Sequence, residues 1–416
     1  MERRKHTLPL FNLNSSLCPV KLIPESNLKE PQLPPTATSP FAAFPIELIS
    51  LIFLYAISRN TNESGLWEPI KRVRPLASIT LVSRQWYKVA TSTPELWSTI
   101  IVTTQRWFPS ELADLWLNRA KNAKLDVHLI SDNPKIPRLQ VEVWKRVVEE
   151  GAGRVCSLSM IVGAADWMRI KPLLPTQLPA LVSAKLFIMD ASAYGDLPVL
   201  HEPVLEVPKL EQLVTNSPAC LNFASCPKLR HLELTRLEEG INQADVLWER
   251  IRHATDKMPN LRHLKLSSNR PPLLPASGFA GFDFINLETL YLDLKGRVAS
   301  VDFLSHIRAP ALIDVTIISF RAEAPPPEPF PTINLPSLHS IRLTNTSLRQ
   351  SLWLLDHLSY GVTGSNSPQL EVVVEMDVRD GWEAQTDNGL RNRLRKKCHL
   401  RIMWSSGASN SVLKQR

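Results

Sequence analysis

Two Leu-Arg-His-Leu phrases put His231 and His263 at equivalent positions. An imidazole near its ordinary pKa can move protons or ligate a metal at neutral pH, so this pair is the first place to look for chemistry. The spacing fixes no carboxylate and no further ligand beside either ring. Repetition of the phrase itself accounts for the pair. Other marks of chemistry are missing: there is no Gly-x-Ser-x-Gly elbow, no Walker loop and no His-Glu-x-x-His. Gly151-Ala152-Gly153 lacks the third glycine of a dinucleotide loop. The five cysteines (Cys18, Cys156, Cys220, Cys226, Cys398) are odd in number and form no Cys-x-x-Cys pair. Reduced thiols are expected rather than disulfides or zinc. The chain is therefore expected to hold no cofactor and to be no enzyme.

What remains is binding chemistry on a strand surface. Side chains alternate between the two faces of a strand. In the phrases around the histidines the leucines take one face. The other receives His231, Glu233 and Thr235, then His263, Lys265 and Ser267, then Thr289, Tyr291 and Asp293, then Arg342 and Thr344. His231, Glu233, His263, Lys265, Tyr291, Asp293 and Arg342 are the candidate substrate-binding residues.

The element that must carry them is a repeat. Pro-x-Leu-x-x-Leu-x-Leu recurs, with substitutions, from Pro179, Pro208, Pro227, Pro259, Pro310, Pro336 and Pro368. In one further copy Asn286 replaces the proline. The leading leucines are 29, 19, 32, 26, 25, 26 and 32 residues apart. Each Leu-x-Leu is expected to be a short strand. Helical returns are expected at Gln243–Lys257, Val301–Ile307 and Leu348–Leu358, and proline-rich ones at Pro271–Pro275 and Pro325–Pro331. No unit can bury its own apolar face, so the units must stack. Upstream, a helix over Ser110–Ala120, a strand at Leu125–Leu129, a helix within 138–150 and a strand from Val155 are expected.

Ahead of the repeats lies a stretch with a different logic, from Phe44 to Ile100. Pro45 suits a helix start. Leu48, Ile52, Tyr55 and Ala56 then recur at helical spacing, with Ile49 and Phe53 beside them. Ile79, Val82, Trp86 and Val89 share one face by the same count. Ser83 and Thr93-Pro94 are cap signals, and residues 60–74 read as an insertion. So short a module cannot enclose all these anchors, and a partner surface is expected.

The series Pro45, Glu47-Leu48, Ile52-Phe53, Leu81-Val82-Ser83, Trp86, Ala90, Pro94, Leu96-Trp97 and Ile100 resembles an F-box, with Phe44 in place of the family's leading Leu. The later phrases resemble degenerate leucine-rich repeats, whose period is 20–29 residues. Together they imply an α/β chain: a short F-box-like helical module followed by an irregular leucine-rich-repeat solenoid. By resemblance, the function is substrate recognition in a Skp1-cullin-F-box ubiquitin ligase. Phe44, Pro45, Leu48, Ile49, Ile52, Leu81, Val82, Trp86 and Trp97 would meet a Skp1-type adaptor, and through it a cullin. The repeats would hold a protein substrate. The alternative is a non-catalytic interaction scaffold with no ligase attached.

Composition bounds the rest. The 416 residues are 44% hydrophobic and 21% charged, with 14 glycines and 34 prolines. The net charge of +8 equals the eight Lys and Arg of residues 391–416, where no acid occurs. Aromatics are not interleaved with those bases, so a single-strand nucleic-acid platform is not expected. The longest apolar run, Phe44–Ile57, falls short of the ~20 residues of a membrane span. No signal-peptide core is present, and an intracellular protein, cytoplasmic or nuclear, is expected. The expected division is a disordered proline-rich leader (1–40), the helical module (41–103), the repeat region (104–404) and a basic tail (405–416).

Overall fold

The computed structural model describes residues 44–58, 68–103, 110–131, 141–189, 205–216, 223–235, 251–253, 256–268, 281–294, 300, 303–318, 333–346, 348–359, 370–377 and 388–405. The expected leader, residues 59–67, both proline-rich returns and residues 406–416 lie outside them. The chain divides into two compact units, Met1–Leu96 and Trp97–Arg416.

The first unit is helical. Helix α1 spans Ile46–Ser58, α2 Glu68–Val82 and α3 Arg84–Ser92. Pro45 stands one residue ahead of α1, and its carbonyl accepts from Leu48 and Ile49 N–H. Ile49 and Phe53, one turn apart on α1, are buried. The Phe53 ring meets that of Trp86 on α3 with centroids 4.9 Å apart. The Ser50 and Thr93 hydroxyls hydrogen-bond at 3.0 Å, and Thr93 Oγ1 donates to the Val89 carbonyl at 2.8 Å.

Two expectations are corrected here. Ile79, Val82, Trp86 and Val89 do not share one helical face, because the chain breaks at Ser83. That residue is extended (φ −159°, ψ 165°), and its Oγ accepts from Trp86 N–H at 3.1 Å, starting α3 afresh. Ile79 and Val82 therefore belong to α2, and Val82 points to solvent. Residues 68–74 of the supposed insertion are the first half of α2, which runs through Pro75 although that residue has no N–H to donate.

The second unit is built on parallel strands. They are β1 (Thr99–Thr103), β2 (Leu125–Ile130), β3 (Val155–Gly163), β4 (Ser183–Met189), β6 (Gln212–Thr215), β8 (His231–Leu234), β9 (His263–Ser268), β11 (Thr289–Leu294), β13 (Asp314–Ile317), β15 (Ser340–Thr344), β17 (Glu371–Asp377) and β18 (His399–Ser405). Among the described residues these form one 12-stranded sheet in unbroken chain order. Parallel neighbours need a crossover. Helices α4 (Ser110–Ala120), α5 (Val141–Gly151) and α6 (Ala164–Ile170) supply it early in the unit. Helices α7 (Leu348–His357) and α8 (Asn388–Lys397) supply it late. Residues 251–253 and 303–305 are helical within the expected returns.

Two rows cross the whole sheet, apolar except at the buried Thr215 of the second. One runs in register from Ile100 to Leu400, the other from Val102 to Ile402. Every member from β1 to β17 is buried; Leu400 and Ile402 are half-buried. Removing such rows from water is the main stabilising term of the unit, at ~25 cal/mol per Å² of apolar surface.

The proline phrase makes a turn into each strand. Leu210 N–H bonds the Val207 carbonyl, Leu229 the Cys226 carbonyl, Leu261 the Met258 carbonyl and Leu312 the Ala309 carbonyl, at 3.0 to 3.2 Å. Proline is then the second residue of a four-residue turn, where its fixed φ is favourable. In the copy that ends at Leu287, the bond runs to the Phe284 carbonyl. Ile285 therefore occupies the proline position, and Asn286, expected there, matches Asn260. Both asparagine side chains donate backward, Asn260 to the Pro227 carbonyl at 2.6 Å and Asn286 to the Pro259 carbonyl at 2.8 Å.

Short strands precede these turns: β5 (Leu205–Glu206) pairs with β7 (Phe223–Ser225), and β10 (Phe282–Asp283) with β12 (Ile307–Arg308). Likewise β14 (Ile333–Asn334) pairs with β16 (Leu358–Ser359).

Candidate functional site

Helix α1 carries two apolar stripes. The inner one, Ile49 and Phe53, is covered by the chain. The outer one, Leu48, Leu51, Ile52 and Tyr55, is exposed, Leu51 by 60%. Such stripes at i, i+3, i+4 and i+7 are ordinarily buried. Phe44, Pro45 and Ile46 are exposed just before it, and Leu81 (71%) and Val82 at the end of α2. Most of the large exposed apolar residues among the described ones belong to this first unit. Of the candidate adaptor residues, Phe44, Pro45, Leu48, Ile52, Leu81 and Val82 are thus open to solvent, and Trp86 is half-buried against Phe53.

The other two are enclosed. Ile49 is 1% exposed and belongs to the helical core. Trp97 is 3% exposed within the second unit, with the Trp116 ring edge-on at 5.9 Å and the Arg119 guanidinium 4.3 Å over its face. Neither offers a surface to another protein. Leu51, absent from the candidates, is among the most exposed residues of α1. Its signal was present in the sequence: a helix apolar on every side cannot be covered by two short neighbours.

The second candidate site is the face of the sheet opposite the leucines. Register brings the expected residues together. His231 lies opposite His263, which in turn lies opposite Thr289; Glu233 lies opposite Lys265, which in turn lies opposite Tyr291. The two imidazole centroids are 5.8 Å apart, and His263 Nδ1 and Thr289 Oγ1 share a hydrogen bond of 2.7 Å. Lys265 Nζ donates to Glu233 Oε1 at 2.7 Å and lies 5.1 Å from the Tyr291 ring centroid. Asp293 is on the same face, opposite Ser267. Arg342 is exposed four strands further along, from β8, between Thr316 and Val373. It belongs to the same face but not to the β8–β9–β11 cluster.

The electrostatics follow from this packing. Burial, then the neighbouring His263, holds the His231 pKa below its ordinary value. Burial, then Asp293, pushes the Tyr291 phenol up. Cys226, the first residue of the turn ahead of β8, is buried, and desolvation pushes its thiol up to about 12. Among the described residues, no group of three or more His, Cys, Asp or Glu is placed to hold a metal. No described helix is long and apolar enough to cross a membrane. The strand face presents hydrogen-bonding groups, charge, two imidazoles and a phenol ring.

Comparison with models of known protein families finds no match, and no curated protein matches the chain.

Proposed function

We propose that the chain is a substrate-recognition subunit of a cullin-RING ubiquitin ligase. In this reading the helical unit docks on a Skp1-type adaptor through Phe44, Pro45, Leu48, Ile52, Leu81 and Val82, with Leu51 added to the set. The sheet, read as a degenerate leucine-rich-repeat solenoid, holds a protein substrate on the face carrying His231, Glu233, His263, Lys265, Tyr291, Asp293 and Arg342. The chain itself performs no chemistry. It raises the effective concentration of substrate near the ubiquitin-loaded subunits, and transfer follows from proximity.

The observation that carries the reading is the bare outer stripe of α1, within a sequence series that resembles an F-box. Contiguous exposed apolar surface marks interaction sites, and an amphipathic helix offered to a groove uses this spacing. Co-expression with a Skp1-type adaptor tests it. The native chain is expected to co-purify with the adaptor. The Pro45→Ala, Ile52→Asp double variant is expected to lose it while its circular dichroism stays native. Full co-purification of the variant removes the interface. No co-purification of the native chain removes the ligase reading and leaves the scaffold alternative.

A further inference from the structure

The helices between the strands are charged differently at the two ends of the sheet. Early in the unit, α4, α5 and α6 together carry four Lys or Arg against six Asp or Glu. Late in the unit, α8 carries Arg391, Arg393, Arg395, Lys396 and Lys397 within ten residues and no acid. The nearest acid in sequence, Asp387, stands ahead of its first turn.

Stability of the helix does not account for these cations. Arg391 lies in the first turn, at the positive end of the helix dipole, where a cation is unfavourable. Arg391 with Arg395, and Arg393 with Lys397, stand at i, i+4, a spacing at which like charges destabilise a helix. Neutralisation from the rest of the fold is slight. Among the described residues, the one carboxylate within ion-pair distance of Arg391, Arg393 or Arg395 is Asp356, 3.9 Å from Arg393. Arg391 Nε is buried and has no hydrogen-bond partner.

The placement of these groups narrows what can answer them. Leu394 is buried, Arg391 is half-buried, and Gly389, Asn392, Arg393 and Arg395 are exposed. At 3.6 residues per turn, Arg391 and Arg395 run along one flank and Arg393 lies on the other, with Gly389 and Asn392 on the ridge between. Helices that settle on membranes expose Trp, Phe or Leu beside their bases; every exposed position described on α8 is polar or glycine. Single strands stack on aromatic rings, and α8 has none. An acidic peptide would find no apolar pocket for its other side chains. Cations and a polar ridge alone suffice for phosphates. Three of the five bases are Arg, whose planar fork fits phosphate with two parallel hydrogen bonds. Duplex backbones are held by such contacts whatever their sequence.

We infer that α8 is a docking site for the phosphate backbone of a nucleic-acid duplex, bound without reading its bases. It is distinct from the β8–β9–β11 cluster and does not depend on the adaptor reading.

The test uses the full chain and a labelled DNA duplex of about two helical turns, titrated by fluorescence anisotropy at several salt concentrations. Affinity is expected to fall with salt at a log–log slope of about −0.9 per phosphate contacted. The exposed-site double variant Arg393→Gln, Arg395→Gln, with native circular dichroism, is expected to bind at least about tenfold more weakly at low salt. Its salt slope is expected to be shallower by about 2. Duplexes of unrelated sequence are expected to bind alike. A double variant with native affinity and native salt slope overturns the inference, since the contacts then lie elsewhere on the chain. So does a marked preference for one duplex sequence. Tighter binding to phosphatidylserine vesicles or to polyglutamate, at equal charge concentration, also overturns it and assigns the helix to a membrane surface or an acidic protein.

Discussion

Helix α1 and strand β11 are both rich in large aliphatic residues, and they put them to opposite uses. In β11 every second residue, Leu290, Leu292 and Leu294, is buried, and the positions between, Thr289, Tyr291 and Asp293, are half-exposed. In α1 the exposed positions are Ile46, Glu47, Leu48, Leu51, Ile52, Tyr55 and Ala56, of which Glu47 alone is charged. The strand alternates because stacking covers only one of its faces. The helix does not divide into a wet and a dry side, so its outward residues are not explained by folding of its own unit. Selection for something other than that unit's stability is the simplest account of the difference.

Paired substitutions sharpen this contrast. Leu290→Ala, in the sealed row, is expected to destabilise the protein by about 2–5 kcal/mol through lost burial and the cavity left behind. Leu48→Ala, on the bare stripe, is expected to change stability by less than about 0.5 kcal/mol, while weakening adaptor capture. Urea unfolding followed by tryptophan fluorescence measures both. Equal costs at the two sites would erase the distinction between the regions. Ser83→Ala removes the cap that starts α3 and is expected to cost about 1 kcal/mol, read by the same unfolding curves.

The smallest expected effect lies on the strand face. His231 has a folded pKa below its unfolded value, so the unfolded chain binds the proton more readily. Stability is then unaffected well above about pH 6.5 and falls as pH drops through that value toward the folded pKa. His231→Gln is expected to flatten that decline, measured as the unfolding midpoint between about pH 5 and pH 8. A decline unchanged by the substitution would assign it to other groups.

Much of the sheet was legible because period-two alternation survives in the repeated phrases. The strands at 231–234, 263–268, 289–294 and 340–344 fall where leucines alternate with polar residues. The helix at Ser110–Ala120 and the strand beginning at Leu125 also follow their apolar spacing. The short ladders β5–β7, β10–β12 and β14–β16 were not legible, since two or three residues carry no period. The equivalence of Ile285 with the prolines was hidden because Asn286 resembles a turn residue. Only the hydrogen bond to the Phe284 carbonyl fixes which position turns.

On α1, spacing cannot separate Ile49 from Leu48: both are large, both aliphatic and adjacent. Which of them is covered depends on where Phe53 meets Trp86, a tertiary fact. Trp97 was misplaced for a similar reason, because an aromatic following a helical module reads the same whether it meets another protein or Trp116.

One property follows from the unbroken chain order of the twelve strands. Among the described residues no strand of this sheet is held between partners distant in sequence, so no strand there staples its two ends together. Tension applied at the C-terminus would peel β18 first, then β17, then β15, each release lengthening the tether by one connection before the next strand feels the load. Such a ladder yields in small successive steps, the pattern of a zip fastener rather than of a clasp.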